Sequence, residues 1–366
     1  MVDFDLAAIP REIEGLDWII FVERRQILIA RECAAWPLCR RARLLMNLEK
    51  TAFTRCHIGK RIDAVADFDE VDLSADYIDA DHMPYLHIFS LRVVCWLRRA
   101  RLVVTWHEWW GRDYWQQYLG RPGRLAAALE RWAVRCADHV IVDSQETMDR
   151  LRQEGIAAER ISLVPLGADL DLIDATPPSP QHWDVLYAGR LIDHKRVDVL
   201  IDALAALRDR GHQPSCLIVG SGPEEARLQE QARRLGLAVT FAPTKDDQGE
   251  IWALMKSARV FAYPSTREGF GLCVLEAQAC GTTVVTSDHP DNHGRHLVDD
   301  GVTGYLGPAT AAELADSLAL ALGRPADLTA LHDHVAGFSW GPRAEQLSQI
   351  YRQQARLRPG APAERS

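Results

Sequence analysis

Arg259-Val-Phe-Ala-Tyr263 and, just behind it, Thr266-Arg-Glu-Gly-Phe-Gly-Leu-Cys-Val-Leu-Glu276 decide how this chain is read. The first run is apolar and β-like, and the second leads into an apolar helical run ending at Cys280-Gly281. Glu268 therefore falls in a strand-to-helix turn, with the helix expected from Phe270 and Glu276 about two turns along it. At about 1.5 Å of rise per residue, the carboxylates are ~12 Å apart along the axis. That is too far to share a proton, but it suits two ends of one long ligand. Gly269 and Gly271 leave the backbone N–H groups at the helix start bare, and a helix N-terminus attracts phosphate. Two hydroxyl-binding carboxylates flanking an anion site outline a pocket for a nucleotide sugar. Taken alone, the same spacing also fits a loop glutamate and a solvated helix glutamate, so the rest of the chain has to decide.

Working outward, strands and helices alternate from about residue 183. Trp183-Asp-Val-Leu-Tyr-Ala188, Cys216-Leu-Ile-Val219, Val239-Thr-Phe241 and Thr283-Val-Val-Thr286 read as strands. Val197, Leu200, Ile201, Leu204 and Leu207 recur at helical spacing up to Gly211, and further helices are expected from Glu224 and Glu250. Such alternation predicts a parallel sheet with helices on both faces, binding its ligand at the carboxyl ends of the strands. Tyr77-Ile-Asp-Ala80, Leu102-Val-Val-Thr105 and His139-Val-Ile-Val142 mark a second α/β unit. Ala175-Thr-Pro-Pro-Ser-Pro180 is a hinge candidate between the two.

The chain has 366 residues, 47% apolar and 25% charged, enough for two domains with separate cores. A net charge of -9 argues against a nucleic-acid binder working by bulk electrostatics. No apolar run approaches the roughly 20 residues of a membrane-spanning helix, and the acidic start lacks the form of a signal peptide. Eight scattered cysteines with no C-x-x-C pair point to reduced thiols and a cytoplasmic protein. No metal site is expected. His289, His293 and His296 lie close in sequence but lack a compact ligand pattern.

Several strand ends carry chemistry. Gly189-Arg190-Leu-Ile-Asp-His-Lys195 follows a strand and offers two fixed cations, a forked guanidinium and a point charge, to a leaving diphosphate. The alternative is a pair of solvated helix-start cations. Val219-Gly-Ser-Gly-Pro-Glu224 is either a simple turn or a place where Gly220 lets a ligand approach the backbone. Val103-Val-Thr-Trp-His107-Glu108 ends a strand of the first unit, with Glu108 either orienting His107 or lying on the surface. Most tryptophans of 96–115 are expected in the core, with Trp109 and Trp110 the candidates for acceptor contacts. Ser144 is a candidate helix cap or ligand contact. Asn292 is a candidate for donor-side polar contacts.

In this order the motifs resemble those of the retaining family 4 glycosyltransferases, over about residues 77–357. The resemblance implies an α/β chain of GT-B architecture, with two Rossmann-like parallel-sheet domains facing across a cleft. It places an acceptor-side domain at 1–175, a nucleotide-sugar-binding domain at 181–340 and a helix returning to the first domain at 341–357, while the composition of 358–366 predicts a disordered tail. It implies a metal-independent hexosyltransferase of cell-envelope glycans with no cofactor beyond its nucleotide diphosphate sugar donor. Its acceptor would be a glycan, lipid-linked or small-molecule hydroxyl. His107, Arg190, Lys195 and Glu268 would be catalytic. Glu276 would take the ribose hydroxyls, with Gly189, Gly220 and the N–H groups of Phe270, Gly271 and Leu272 around the donor. Glu108, Trp109 and Trp110 would face the acceptor.

Residues 1–75 depart from that pattern, because Gly15 and Gly59 are their only glycines and no glycine-rich loop is present. Arg24, Arg25, Arg31, Arg40, Arg41 and Arg43 interleave with apolar residues instead. One reading is a start that binds the inner membrane face peripherally, and another is a misplaced start codon or reading frame. An atypical or incomplete first domain also leaves open a nucleotide-sugar-binding protein without transferase activity.

Overall fold

The computed structural model describes residues 19–23, 26–30, 77–83, 85–245 and 247–357. The expectations for 1–75 and 358–366 lie outside them, apart from two short antiparallel strands, β1 (Ile19–Glu23) and β2 (Gln26–Ala30).

The chain divides into two compact units. The first contains the four-stranded parallel sheet β3 (Tyr77–Asp81), β4 (Arg101–Trp106), β5 (His139–Val142) and β6 (Ile161–Leu163), in that spatial order. Between β3 and β4 runs α1 (Leu86–Arg98). Between β4 and β5 run α2 (Gly111–Leu119) and α3 (Gly123–Cys136), and α4 (Gln145–Gln153) precedes β6. All four residues of β5 are buried, as in a strand covered on both faces. Ser144 receives the Thr147 N–H on its Oγ at 3.4 Å, a capping contact at the start of α4.

The second unit begins its continuous run at Val164. After the short α5 (Leu170–Ala175) come β7 (Trp183–Ala188), α6 (Val197–Asp209), β8 (Cys216–Val219), α7 (Glu225–Arg234) and β9 (Val239–Ala242). They are followed by α8 (Gln248–Lys256), β10 (Ala258–Tyr263), α9 (Leu272–Ala279), β11 (Thr283–Ser287) and β12 (Gly304–Gly307). The six strands form one parallel sheet in the order β12-β11-β10-β7-β8-β9. The order reverses between β7 and β10, where ligands of open α/β sheets bind.

Three expectations are corrected here. The helix starts at Leu272 and not at Phe270, because Gly271 takes a left-handed φ of 92° and Phe270 is buried against Phe338 at 6.3 Å. Glu276 is therefore only about 6 Å of axial rise beyond the first helical residue, in the second turn. The proline-rich segment lies inside the second unit. Ser179 donates from its N–H to Ala253 O at 2.8 Å, and Lys256 Nζ donates to Thr176 O at 2.9 Å.

After α10 (Ala311–Gly323) and α11 (Leu328–Ala336), the chain ends in α12 (Trp340–Arg356). From Glu345 onward that helix belongs to the first unit. Tyr351 stacks on Tyr77 at 4.8 Å and donates to Asp79 at 2.9 Å, while Arg101 Nε donates to Gln354 at 2.9 Å.

Candidate functional site

In the second unit, the ends of β7, β8 and β9 are laced by backbone bonds. Gly189 N–H donates to Val219 O, Gly220 N–H to Ala242 O and Leu191 N–H to Ser221 O. This lacing needs Gly220, since a Cβ there would lie 1.9 Å from Gly189 O. Tyr187, buried inside β7, donates its hydroxyl to Arg190 O at 2.9 Å and so fixes the backbone that carries the guanidinium. The Arg190 side chain is exposed and forms no hydrogen bond or ion pair with a described residue.

Lys195 is placed differently. It is 6% exposed, and its Nζ donates to Glu268 Oε1 at 2.5 Å and to the Tyr263 hydroxyl at 2.6 Å. The turn that carries it is tied to the loop before Glu268, because His194 O accepts from Thr266 N–H at 2.9 Å and from the Ser265 hydroxyl at 3.2 Å. Burial, with Lys195 beside it, pushes the His194 imidazole down to about 4, so it stays neutral near pH 7. Burial, reinforced by the Cys273 and Glu268 charges, raises the Tyr263 hydroxyl well above its usual range, and the phenol keeps its proton. Glu268 itself is clamped by its backbone. Its N–H donates to Asp291 O at 3.0 Å and its carbonyl accepts from His293 N–H at 3.1 Å.

At the start of α9, the N–H groups of Phe270, Gly271 and Leu272 donate to no described residue. Gly271 packs so closely on the next loop that a Cβ would lie 2.5 Å from Gly294 Cα. Glu276 is 3% exposed and accepts from Gln248 Nε2 at 3.1 Å. Arg190, Lys195, Glu268, the bare N–H groups and Glu276 thus belong to one unit and cluster at the carboxyl edge of its sheet.

In the first unit, His107 follows β4. Asp81 Oδ1 at the end of β3 faces His107 Nε2 at 3.5 Å, while Glu108 accepts from Trp110 Nε1 at 3.0 Å. Burial works against the Asp81 charge, but His107 and His82 outweigh it and hold the carboxyl well below the usual range. Trp109 is also corrected: at 4% exposure, against Trp106 at 5.9 Å, it is a core residue and not an acceptor contact. Trp110 is half-buried and packs on Trp115 at 4.5 Å. This cluster surrounds the buried Glu130, which accepts from the Tyr85 hydroxyl, Trp115 Nε1 and the N–H groups of Trp110 and Gly111.

Asn292 is fully buried and donates its amide to Thr286 Oγ1 and Ser287 O, so it braces a loop and is not available to a donor. Among the described residues, no group of three or more His, Cys, Asp or Glu side chains is placed to hold a metal ion. No helix among them is long and apolar enough to cross a membrane. Sequence reading missed Tyr263, Gln248 and Asp81. Tyr263 and Asp81 are polar residues at the carboxyl ends of strands, and that position was the available signal.

The family described as glycosyl transferases group 1 matches residues 172–333, and glycosyltransferase family 4 matches residues 64–172. A phosphatidyl-myo-inositol mannosyltransferase of Mycobacterium leprae is 32% identical over 76% of this chain and 73% of its own. The chain belongs to the family 4 glycosyltransferases. A D-inositol 3-phosphate glycosyltransferase of Nocardia farcinica is 36% identical over 61% of this chain, but the match spans only about half, 54%, of that relative's length. Among solved structures, Anabaena HepE in complex with UDP-glucose has a TM-score of 0.61 at 25% identity, covering 76% of this chain and 79% of its own. The two parallel sheets are those of the GT-B fold shared by family 4 glycosyltransferases.

Proposed function

We propose that the chain transfers a hexose from a nucleotide diphosphate sugar to a hydroxyl acceptor, with retention of anomeric configuration and without a metal. The observation that carries this reading is the grouping of Arg190, Lys195–Glu268, three bare N–H groups and Glu276 at one sheet edge. In the transfer, the acceptor oxygen bonds to the anomeric carbon as the bond to the β-phosphate oxygen breaks. The acceptor proton passes to that leaving phosphate. Arg190 and the N–H groups are suited to the charge that grows on the diphosphate, and preorganised donors of this kind act without reorganisation. Glu276 is suited to the ribose diol and Glu268 to the sugar ring, and His107 belongs to the proposal as a catalytic residue. The relatives' names favour an inositol-type or lipid-linked acceptor, and we carry a cytoplasmic location with peripheral membrane contact as part of the same proposal.

The test is incubation with UDP- and GDP-hexoses and inositol phosphate or phosphatidylinositol, in buffer and in EDTA. The expected result is acceptor-dependent nucleotide release, unaffected by EDTA, with an NMR anomeric coupling in the product matching the donor. Nucleotide binding without transfer to any hydroxyl acceptor would favour a binding-only protein, and an inverted product would refute retention.

A further inference from the structure

Helix α1 is apolar on two sides. His87, Ile88, Leu91 and Cys95 are buried in the first unit, the inward stripe of an amphipathic helix. Leu86, Val93 and Leu97 follow one another at helical spacing on the opposite side and are exposed, and Trp96 beside them is 71% exposed. Helix α3 repeats the pattern. Ala127, Glu130, Ala133 and Val134 are buried, while Leu125 and Trp132, seven residues apart, face outward, Trp132 at 68% exposure. A helix on a protein surface gives these outer positions to polar residues. The two outer stripes belong to one surface. Strands β3, β4 and β5 are consecutive neighbours, and right-handed crossovers place α1 and α3 on the same face of their sheet. The helices lie side by side: Tyr85, just before α1, donates to Glu130 of α3 at 2.9 Å, and Arg92 of α1 donates to Cys136 O at the end of α3 at 3.3 Å. Charge is segregated here too. Residues 86–136 hold nine arginines and no lysine against Glu108, Asp113 and Glu130, a net charge of +6 in a chain of -9. Glu130 is buried, and ion pairs to Asp138 and Glu154 engage Arg92 and Arg131. Arg99, at the end of α1, and Arg124, at the start of α3, are exposed beside the apolar stripes.

We propose that the outer face of α1 and α3 docks on the surface of an anionic phospholipid bilayer, with Trp96, Leu97, Leu125 and Trp132 entering the interface and the arginines meeting lipid phosphates. Apolar area and basic charge on one helical surface are the two terms that hold a protein to such a membrane. A second copy of the chain fits less well, because a two-fold contact would set this positive face against itself. The assignment deepens the membrane contact carried in the proposed function and rests on that part of it, while using nothing of the donor site.

The test is flotation of the full chain with vesicles of phosphatidylcholine alone and of an equal mixture with phosphatidylglycerol. The expected result is binding to the mixed vesicles, weak binding to phosphatidylcholine, and release as salt rises. Two double variants, Trp96→Gln/Trp132→Gln and Arg99→Gln/Arg124→Gln, should each lower the partition coefficient at least about tenfold. All four side chains are exposed, so the thermal transition should stay in place. Failure of the wild type to bind the mixed vesicles overturns the membrane contact together with the face. Wild-type binding that both variants keep within about twofold overturns the face alone and assigns the contact to another part of the chain. A dimer in sedimentation equilibrium that Trp96→Gln/Trp132→Gln dissociates would give the face to a second copy, and also overturns the proposal. Nucleotide-induced stabilisation of the same samples reports on the donor site separately. Its absence in the wild type would fail the transferase reading, while the vesicle binding would still decide the docking face.

Discussion

Lys195 and Glu268 lie 73 residues apart in the chain, yet their side chains meet at 2.5 Å with only 7% and 11% of their surfaces exposed. Removing one partner of a buried pair strands the other charge, which costs on the order of 3 kcal/mol. Lys195→Met is expected to lower stability in urea by about that amount, and Glu268→Gln is the second single variant of the cycle. The double variant Lys195→Met/Glu268→Gln should recover part of the loss. Additive losses in the double-mutant cycle would mean that the pair is not coupled.

Arg190 and Glu276 differ in burial, and their variants should differ in effect. Arg190 is exposed and without an ion-pair partner among the described residues. Arg190→Ala should leave stability within about 0.5 kcal/mol and mainly lower turnover. Glu276 is buried against Gln248, so Glu276→Ala is expected both to weaken nucleotide binding and to lower stability. Unchanged kinetics in both variants would sink the assignment of the donor site.

Gly271 combines a φ of 92° with backbone contact to Gly294. Gly271→Ala must shift the loop or the helix start, and is expected to cost roughly 1–3 kcal/mol. Because the bare N–H groups move with it, nucleotide affinity should fall as well. Calorimetry with and without nucleotide separates the two effects, and wild-type affinity in a destabilised variant would show that those N–H groups do not bind the donor.

His139 in β5 is pushed down from 6.5 to about 4 by burial, helped by Arg101 and Arg160, and it lies 2.9 Å from the Ser162 hydroxyl. The unfolded chain protonates this ring first, so its stabilising contribution is complete above pH 6.5 and is lost as pH falls toward 4. The loss should be on the order of 1–3 kcal/mol. His139→Asn cannot titrate, so the difference in stability between pH 7.5 and pH 5 should shrink in that variant. An equal pH dependence in both proteins would assign the loss to other groups.

The central strands of both sheets were legible because their apolar runs are short, punctuated and buried on both faces. Cys216–Val219 and His139–Val142 fall where the sequence places them. The start of α9 was not legible, because a glycine that takes a left-handed turn reads the same as one that opens a helix. The cations and carboxylates at strand ends could be named from the sequence, but their pairing could not. Lys195 to Tyr263, His107 to Asp81 and Glu276 to Gln248 are all contacts between different elements. Trp109 was read as an acceptor contact because composition does not show which face of a strand-end loop turns to the core.

Nucleotide binding tests the central claim most directly. The full chain and its Glu276→Ala variant would be unfolded thermally in the presence of UDP, GDP, ADP and dTDP. A site at ~100 times its dissociation constant is stabilised by about 2.7 kcal/mol. The account predicts that one of the four nucleotides raises the wild-type transition, and that the shift shrinks in Glu276→Ala. No shift with any of them, from a sample that unfolds cooperatively, would contradict it.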